Sequence, residues 1–206
     1  MRIRNSLIDI YDSFALTYEQ NRNLFDMSDV ISDFFSFLGN KKGHLLDLGC
    51  GAGEPFARSF LDNGWYVSGV DFSSKMVQLA MRYVPEMKIY HTDMRTVNFP
   101  KSKFNAIIAI YSLFHLPRND QKVMLEKIYS WLKPNGFALF TYACKEYTGK
   151  EEFDGFIDFM GKKLFYSHYS PEKLHSILLK TGFNFVEKKY RRIGGETFLW
   201  VTVQKQ

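Results

Sequence analysis

The chain has 206 residues, 46% of them apolar, with a formal net charge of +5 and a pI near 9.0. That length and apolar content suit one α/β domain with a full core, read over residues 1–206. No run approaches the roughly 18 uninterrupted apolar residues of a membrane helix, two cysteines are too few for a disulfide framework, and internal repeats are absent.

Two helical stripes open the chain. Leu7, Ile8, Tyr11, Phe14, Ala15 and Tyr18 share one face, and Val30, Ile31, Phe34, Phe35 and Leu38 share another, closed by Gly39. The informative stretch follows: Leu45-Leu46-Asp47-Leu48-Gly49-Cys50-Gly51-Ala52-Gly53. A short apolar run fits a buried parallel strand, and glycines on alternate positions let the chain turn while a ligand approaches its backbone. Pro55 and the apolar periodicity Phe56, Ala57, Phe60, Leu61 start a helix that ends at Asn63-Gly64. Strand, glycine loop and helix together form a nucleotide-cofactor cradle.

The cofactor is narrowed by what the loop lacks. Glu54 occupies the position of the third glycine of the dinucleotide fingerprint, and no Gly-Lys-Ser/Thr ending marks a P-loop. Asp47 would repel a pyrophosphate and attract a ligand bearing positive charge.

Trp65 to Val70 forms a second strand that ends at Asp71, about eighteen residues beyond Gly53, placed to accept hydrogen bonds from ribose hydroxyls. Ser73 caps a helix through Met76, Val77, Leu79, Ala80 and Tyr83. A third strand, Met87 to His91, leads to Asp93 and Met94, and a fourth runs from Phe104 to Tyr111. After Ser-Leu-Phe-His-Leu-Pro comes a helix, Asn119 to Leu132. Lys-Pro-Asn-Gly (133–136) then turns into a fifth strand, Phe137 to Tyr142. Ser170-Pro171 opens a last helix with Leu174, Ile177 and Leu178 on one face, stopped by Gly182. Phe183 to Arg191 and Thr197 to Lys205 close the chain as an antiparallel hairpin across Ile193-Gly194-Gly195.

From about Leu45 to Lys205 the chain resembles the class I, Rossmann-like S-adenosylmethionine (SAM)-dependent methyltransferases of small-molecule type. The resemblance implies a seven-stranded, mostly parallel sheet of order 3-2-1-4-5-7-6, last strand antiparallel, with helices on both faces. It implies that Asp93 holds the adenine amino group and that the Met94 amide holds a ring nitrogen. It places Tyr18, Asp47, Gly49, Cys50, Gly51, Gly53, Asp71, Phe72, Met76, Asp93, Met94 and Tyr111 around SAM, whose product is S-adenosylhomocysteine (SAH). Residues 1–40 look like the lid of such enzymes, with Tyr18 reaching the methionine end and Tyr11 read as a packing residue. One departure is Asn105, where relatives usually carry Asp before the fourth strand. It lies at the strand's entry, away from the ligand edge, so no loss of activity is expected.

Candidate bases are His115 after the fourth strand, His168 in Tyr-Ser-His-Tyr and Glu196 at the start of the last strand. No metal is expected. Residues 144–169 hold Tyr147, Phe153, Phe156, Phe159, Phe165, Tyr166 and Tyr169, a density that suggests a cap over an apolar or aromatic small-molecule acceptor. The spacing 153, 156, 159 also fits a short helix anchored to the sheet. Lys188-Lys189-Tyr190-Arg191-Arg192 is the one dense basic cluster. It lies on an alternating strand, and the Asn/Asp-Pro-Pro-aromatic motif of base-amino methyltransferases is missing, so nucleic acid is not the expected partner. The opening Met-Arg-Ile-Arg-Asn-Ser lacks the apolar core of a signal peptide, and a cytoplasmic location is expected. An RNA or protein methyltransferase and a non-catalytic SAM/SAH-binding module are the alternatives.

Overall fold

The computed structural model describes residues 2–15, 17, 26–40, 42–159 and 161–206, with backbone alone for residues 2–6. Helices α1 (Arg2–Ala15) and α2 (Ser28–Leu38) lead into strand β1 (His44–Leu48), helix α3 (Phe56–Asp62) and strand β2 (Tyr66–Asp71). Then come α4 (Ser74–Tyr83), β3 (Lys88–His91), β4 (Phe104–Ala109), α5 (Arg118–Trp131) and β5 (Leu132–Tyr142). The short α6 (Lys145–Thr148) precedes β6 (Phe153–Phe159) and β7 (Lys162–His168), and α7 (Pro171–Thr181), β8 (Phe183–Ile193) and β9 (Glu196–Lys205) complete the chain.

The main sheet has seven strands in the order β3-β2-β1-β4-β5-β9-β8. All run parallel except β9, which pairs antiparallel with both β5 and β8. This is the expected order. The closing strands are eighth and ninth only because residues 144–169 supply two strands of their own to a separate sheet, β6-β7.

Strand alternation builds the layers. Leu46, Leu48, Ile107 and Phe140 turn to one side and pack with α5 and α7; Leu45, Val67, Ala106, Ile108 and Leu139 turn to the other and pack with α2, α3 and α4. Residues so placed are buried on both faces, which explains why β1 and β4 read as continuous apolar runs. Asn105 pins the sheet's lower end: its Oδ1 accepts from the His44 amide and from Lys133 Nζ, each at 3.1 Å.

Two local readings are corrected. The turn expected at 133–136 is absorbed into β5, which begins at Leu132 opposite Phe104. A shift of register between Phe104 and Ala106 accommodates the extra residues, with Asn135 at φ +60°. The Phe153-Phe156-Phe159 spacing belongs to a strand rather than a helix. With a period of two, Phe153 and Phe159 face the body of the protein while Phe156 faces out, 50% exposed.

Helix α1 lies across the carboxyl edge of the sheet. Leu7 and Ile10 pack with Phe114, Leu164, Tyr166 and Phe198, and Asp12 Oδ1 accepts from Ser73 Oγ at 2.5 Å at the start of α4. A buried amide ties hairpin β6-β7 to the core. Gln121 Nε2 donates to the Leu116 carbonyl (3.0 Å), the Ser167 carbonyl (3.0 Å) and Ser167 Oγ (2.9 Å), while the Tyr142 hydroxyl donates to Gln121 Oε1. Gln121→Ala strands these buried partners and is expected to cost about 2–4 kcal/mol in urea unfolding. A cost below about 1 kcal/mol would show that water replaces the amide.

Candidate functional site

The carboxyl ends of β1, β2, β3 and β4 converge on one cavity of about 250 Å³. Its wall includes Gly49, Gly51, Asp71, Phe72, Met76, Asp93, Met94, Tyr111 and His115 from the expected set, and Tyr11 from α1. Open α/β sheets bind ligands at this edge, where the strand order reverses on either side of β1.

The glycine loop is stitched to β2. Gly49 N and Cys50 N both donate to the Val70 carbonyl, at 2.8 and 3.1 Å. Gly51 N donates to Asp71 Oδ2 at 2.9 Å, and Ser73 N donates to Asp71 Oδ1 at 2.8 Å. One carboxylate thus holds the loop and the entry to α4 together. Burial pushes the Asp71 carboxyl up, against the lowering effect of those amide bonds.

At the third strand end Asp93 is gripped by Arg95, whose Nη2 donates at 2.7 Å and whose backbone N donates at 2.9 Å. Arg95 Nη1 also donates to Asp120 Oδ2 at 3.0 Å, linking this end to α5. Arg95 lines the cavity and was not among the expected residues; its only sequence signal was adjacency in Asp-Met-Arg.

Tyr111 closes β4 with φ +51°, a left-handed conformation that costs a non-glycine residue roughly 1–2 kcal/mol, and its amide donates to Thr141 Oγ1 at 2.5 Å. Two residues later the chain makes a 3₁₀ turn, Leu113–His115, that delivers His115 to the cavity. His115 Nδ1 lies 2.7 Å from the Phe165 carbonyl, which can only accept, so this nitrogen carries the proton. Nε2 is then the acceptor for the Tyr11 hydroxyl, at 2.8 Å. Burial lowers the His115 pKa to about 4, so the imidazole is neutral at physiological pH.

The methyltransferase domain family matches residues 19–188 of the chain. The chain belongs to that family. Phosphoethanolamine N-methyltransferase of Plasmodium falciparum is 28% identical over 153 residues, covering 73% of this chain and 57% of its own length. Phosphoethanolamine N-methyltransferase 2 of Caenorhabditis elegans is 29% identical over 187 residues, covering 87% of this chain and 41% of its own. The chain therefore spans about half the length of these curated relatives. Among solved structures, the 1,6-didemethyltoxoflavin-N1-methyltransferase of Burkholderia thailandensis, with its substrate and SAH bound, superposes with a TM-score of 0.73 at 17% identity, covering 99% of this chain and 90% of that one. A SAM-dependent methyltransferase from Mesorhizobium loti superposes at 0.69 and 17% identity, covering 87% and 97%.

Two features of the cradle bear on the SAM expected from the sequence. Gly51, at φ +51°, has nothing within 4 Å of where a Cβ would stand, so its backbone is open to a ligand. Asp47 is buried, makes no hydrogen bond or ion pair with any described residue, and is pushed up to about 8 by burial and by Asp71. A pair of neighbouring buried carboxylates calls for a cation.

Several expected residues take other places. Asp47 is buried and is not among the residues that line the cavity. Cys50 turns its thiol away, toward Gly69 and Met87 of the sheet side. Gly53 is required for packing, since a Cβ there would lie 2.2 Å from Val84. His168 does not line the cavity. Its side chain is fully buried, Nδ1 donates to the Tyr169 carbonyl at 3.0 Å, and Nε2 meets the Thr148 hydroxyl at 2.7 Å, which leaves the ring no free nitrogen. Tyr18 lies outside the described residues.

Asp47 gives the methyltransferase a pH signature. A carboxyl held protonated to about pH 8 in the fold, against an ordinary 3.8, makes the apo protein less stable as pH rises between those values. Between pH 6.5 and 8 the ligand-free stability is expected to fall with a slope approaching about 1.4 kcal/mol per unit. Asp47→Asn should flatten most of that slope in urea unfolding; an unaltered slope would assign the proton elsewhere.

Proposed function

We propose that this methyltransferase acts on a small-molecule acceptor with an apolar or aromatic body, and that Tyr11 and His115 are the residues that meet its reacting atom. SAM supplies a methyl group on a sulfonium: the acceptor lone pair attacks the methyl carbon, the carbon–sulfur bond breaks, and its electron pair stays on sulfur in SAH. Asp71 is read as the ribose acceptor, Asp93 and Met94 as the adenine contacts, and Phe72 and Met76 as the walls beside them. Gly49, Gly51 and Tyr111 border the methionine end.

The observation that carries the reading is the Tyr11–His115 pair. With its proton committed to His115 Nε2, the Tyr11 oxygen offers only lone pairs to the cavity, and it can accept a hydrogen bond from an N–H or O–H of the acceptor. When that group loses its proton, Tyr11 takes it as its own proton passes to Nε2, and the resulting imidazolium hands a proton back through Tyr11 to water that enters the cavity when product leaves. A histidine lowered to about 4 is a weak base but a quick proton donor, so the pair relays rather than stores. Alignment and exclusion of water supply the larger part of such a displacement.

Residues 1–40 then form the lid and residues 144–169 the cap, within one functional unit over residues 1–206. Support comes from α1, which is fastened to α4 through Asp12 and packs on the β6-β7 hairpin. Hairpin rings Phe153, Phe159 and Tyr166 face the same apolar cluster. A nucleic-acid substrate is disfavoured by the basic cluster of β8, where Arg191 pairs with Asp33 at 2.5 Å and Lys189 with Glu187 at 2.5 Å. A cytoplasmic location is supported by Cys50 and Cys144, both free thiols. No helix among the described residues is long and apolar enough to cross a membrane.

Tyr11→Phe and His115→Ala are each expected to lower kcat for SAH release about 10²-fold with SAH affinity unchanged, and the double variant little further. Full activity in Tyr11→Phe would remove the pair from the reaction. Gly51→Val is expected to abolish SAH binding in calorimetry while the far-ultraviolet circular dichroism stays intact. Retained binding would place the ligand away from the loop.

A further inference from the structure

Helix α1 brings Tyr11 to the cavity, and the neighbouring residue ties that helix to the strand ends on the opposite wall. Asp12 itself does not line the cavity. Its Oδ1 accepts from Ser73 Oγ at 2.5 Å and from the Lys75 amide at 3.3 Å. Both donors sit at the start of α4, whose first amides have no partner within the helix. Ser73 Oγ takes the Met76 amide at 3.1 Å, as an N-cap does, and Asp12 takes the Lys75 amide from 63 residues upstream. The cap of α4 is thus completed by the helix that carries Tyr11, with a carboxylate at the positive end of the α4 dipole.

One short segment, Asp71-Phe72-Ser73, serves both walls of the cavity. The Ser73 amide donates to Asp71 Oδ1 at 2.8 Å while the Ser73 hydroxyl donates to Asp12, and Gly51 N holds the other Asp71 oxygen at 2.9 Å. A hydrogen-bonded line therefore runs from the glycine loop through Asp71 and Ser73 to α1. Between them Phe72, in the cavity wall, meets the Tyr11 ring edge-on with centroids 6.0 Å apart. Two further polar ties hold this part of α1: the Tyr11 hydroxyl at His115 Nε2 (2.8 Å), and Lys162 Nζ of the hairpin donating to Ser13 Oγ at 2.5 Å. Residues 11 and 12 are adjacent on one rigid helix. A slide or turn of α1 that freed Asp12 would carry Tyr11 away from His115, and a hydrogen bond tolerates little displacement.

We propose that Asp12 is a positioning residue for methyl transfer: by seating α1 on the segment that carries Asp71, it sets the Tyr11 hydroxyl against His115 Nε2. This rests on the reading above in which Tyr11 and His115 meet the acceptor's reacting atom. Asp12 touches neither ligand nor reacting atoms. Its effect is to reference Tyr11 to the cofactor wall itself, whereas the packing of Leu7 and Ile10 references α1 only to the hairpin and the sheet. A misplacement of about 1 Å at such a group can cost a reaction about 10²-fold, so a dedicated tie has a purpose.

The test reads the His115 ring directly, by nitrogen magnetic resonance at pH 7 on the whole chain loaded with SAH, its histidines isotope-labelled and His115 assigned by loss of its signals in His115→Ala. Tyr11→Phe sets the reference, since Nε2 loses its hydrogen bond and its resonance moves downfield. Asp12→Ala is expected to move that resonance the same way by about half as far or more, and to move it no further in the Tyr11→Phe background. Ser73→Ala, which removes the same hydrogen bond from the α4 side, should act in the same direction. Asp12→Asn keeps an oxygen for both donors and should leave the resonance in place. Lys162→Ala loosens α1 from the hairpin alone and should move it less than Asp12→Ala does. SAH affinity by calorimetry should change less than about threefold throughout. A resonance unmoved in Asp12→Ala, or moved as far in Lys162→Ala, would overturn the proposal and leave the cofactor reading standing. A resonance unmoved in Tyr11→Phe would remove the pair and this proposal with it. A wild-type chain that failed to bind SAH would overturn the methyl-transfer reading, while the ligand-free spectra would still decide whether Asp12 places Tyr11.

Discussion

Negative charge buried at the carboxyl edge of the sheet is the constraint around which this protein is arranged. Asp71 accepts from the amides of Gly51 and Ser73 at once, fixing the glycine loop against the start of α4. Asp47 lies in its field, buried and without a cation among the described residues. Two such groups side by side are stable only if one keeps its proton or a ligand brings positive charge. The loop supplies the entrance for that ligand, because Gly51 leaves space where any other residue would carry a side chain. A doubly anionic pyrophosphate would make the same site worse.

Elements whose signals are local were legible in the sequence. The apolar runs of β1 and β4, the Ser73 and Ser170 caps and the Gly182 stop each appear where their chemistry puts them. Asp71 and Asp93 reached the cavity because a strand end in a parallel sheet fixes its own position. What failed depended on partners distant in sequence. Tyr11 reads as a packing residue on a helical stripe, and only the fold sets it against His115, 104 residues away. Arg95 and Asp12 owe their roles to Asp120 and Ser73, which no periodicity links to them. The β6-β7 hairpin was hidden because aromatics three residues apart imitate a helical stripe, while the strand sends Phe156 to the opposite face from Phe153 and Phe159.

The two sides of the cavity follow different logic. Backbone amides and short acidic side chains make the cofactor side, and their positions are set by strand ends that few substitutions could move. Leu7 and Tyr11 of α1 and His115, Leu116 and Pro117 before α5 make the other side, backed by aromatic rings of the β6-β7 hairpin and β9 that pack with α1. Gln121 and Tyr142 hold the hairpin in register with the core, so this backing is firmly anchored. That division lets one framework serve unrelated substrates, with chemistry placed on the pieces outside it.

Titration of the ligand-free protein with SAM at pH 7, repeated in two buffers of different ionisation enthalpy, tests the cationic-donor account most directly. Saturable binding with net proton release, lost in Asp47→Asn, is the result expected if the buried carboxyl ionises to meet the sulfonium. Binding of a nicotinamide dinucleotide in place of SAM, or SAM binding with no proton exchanged, would contradict it.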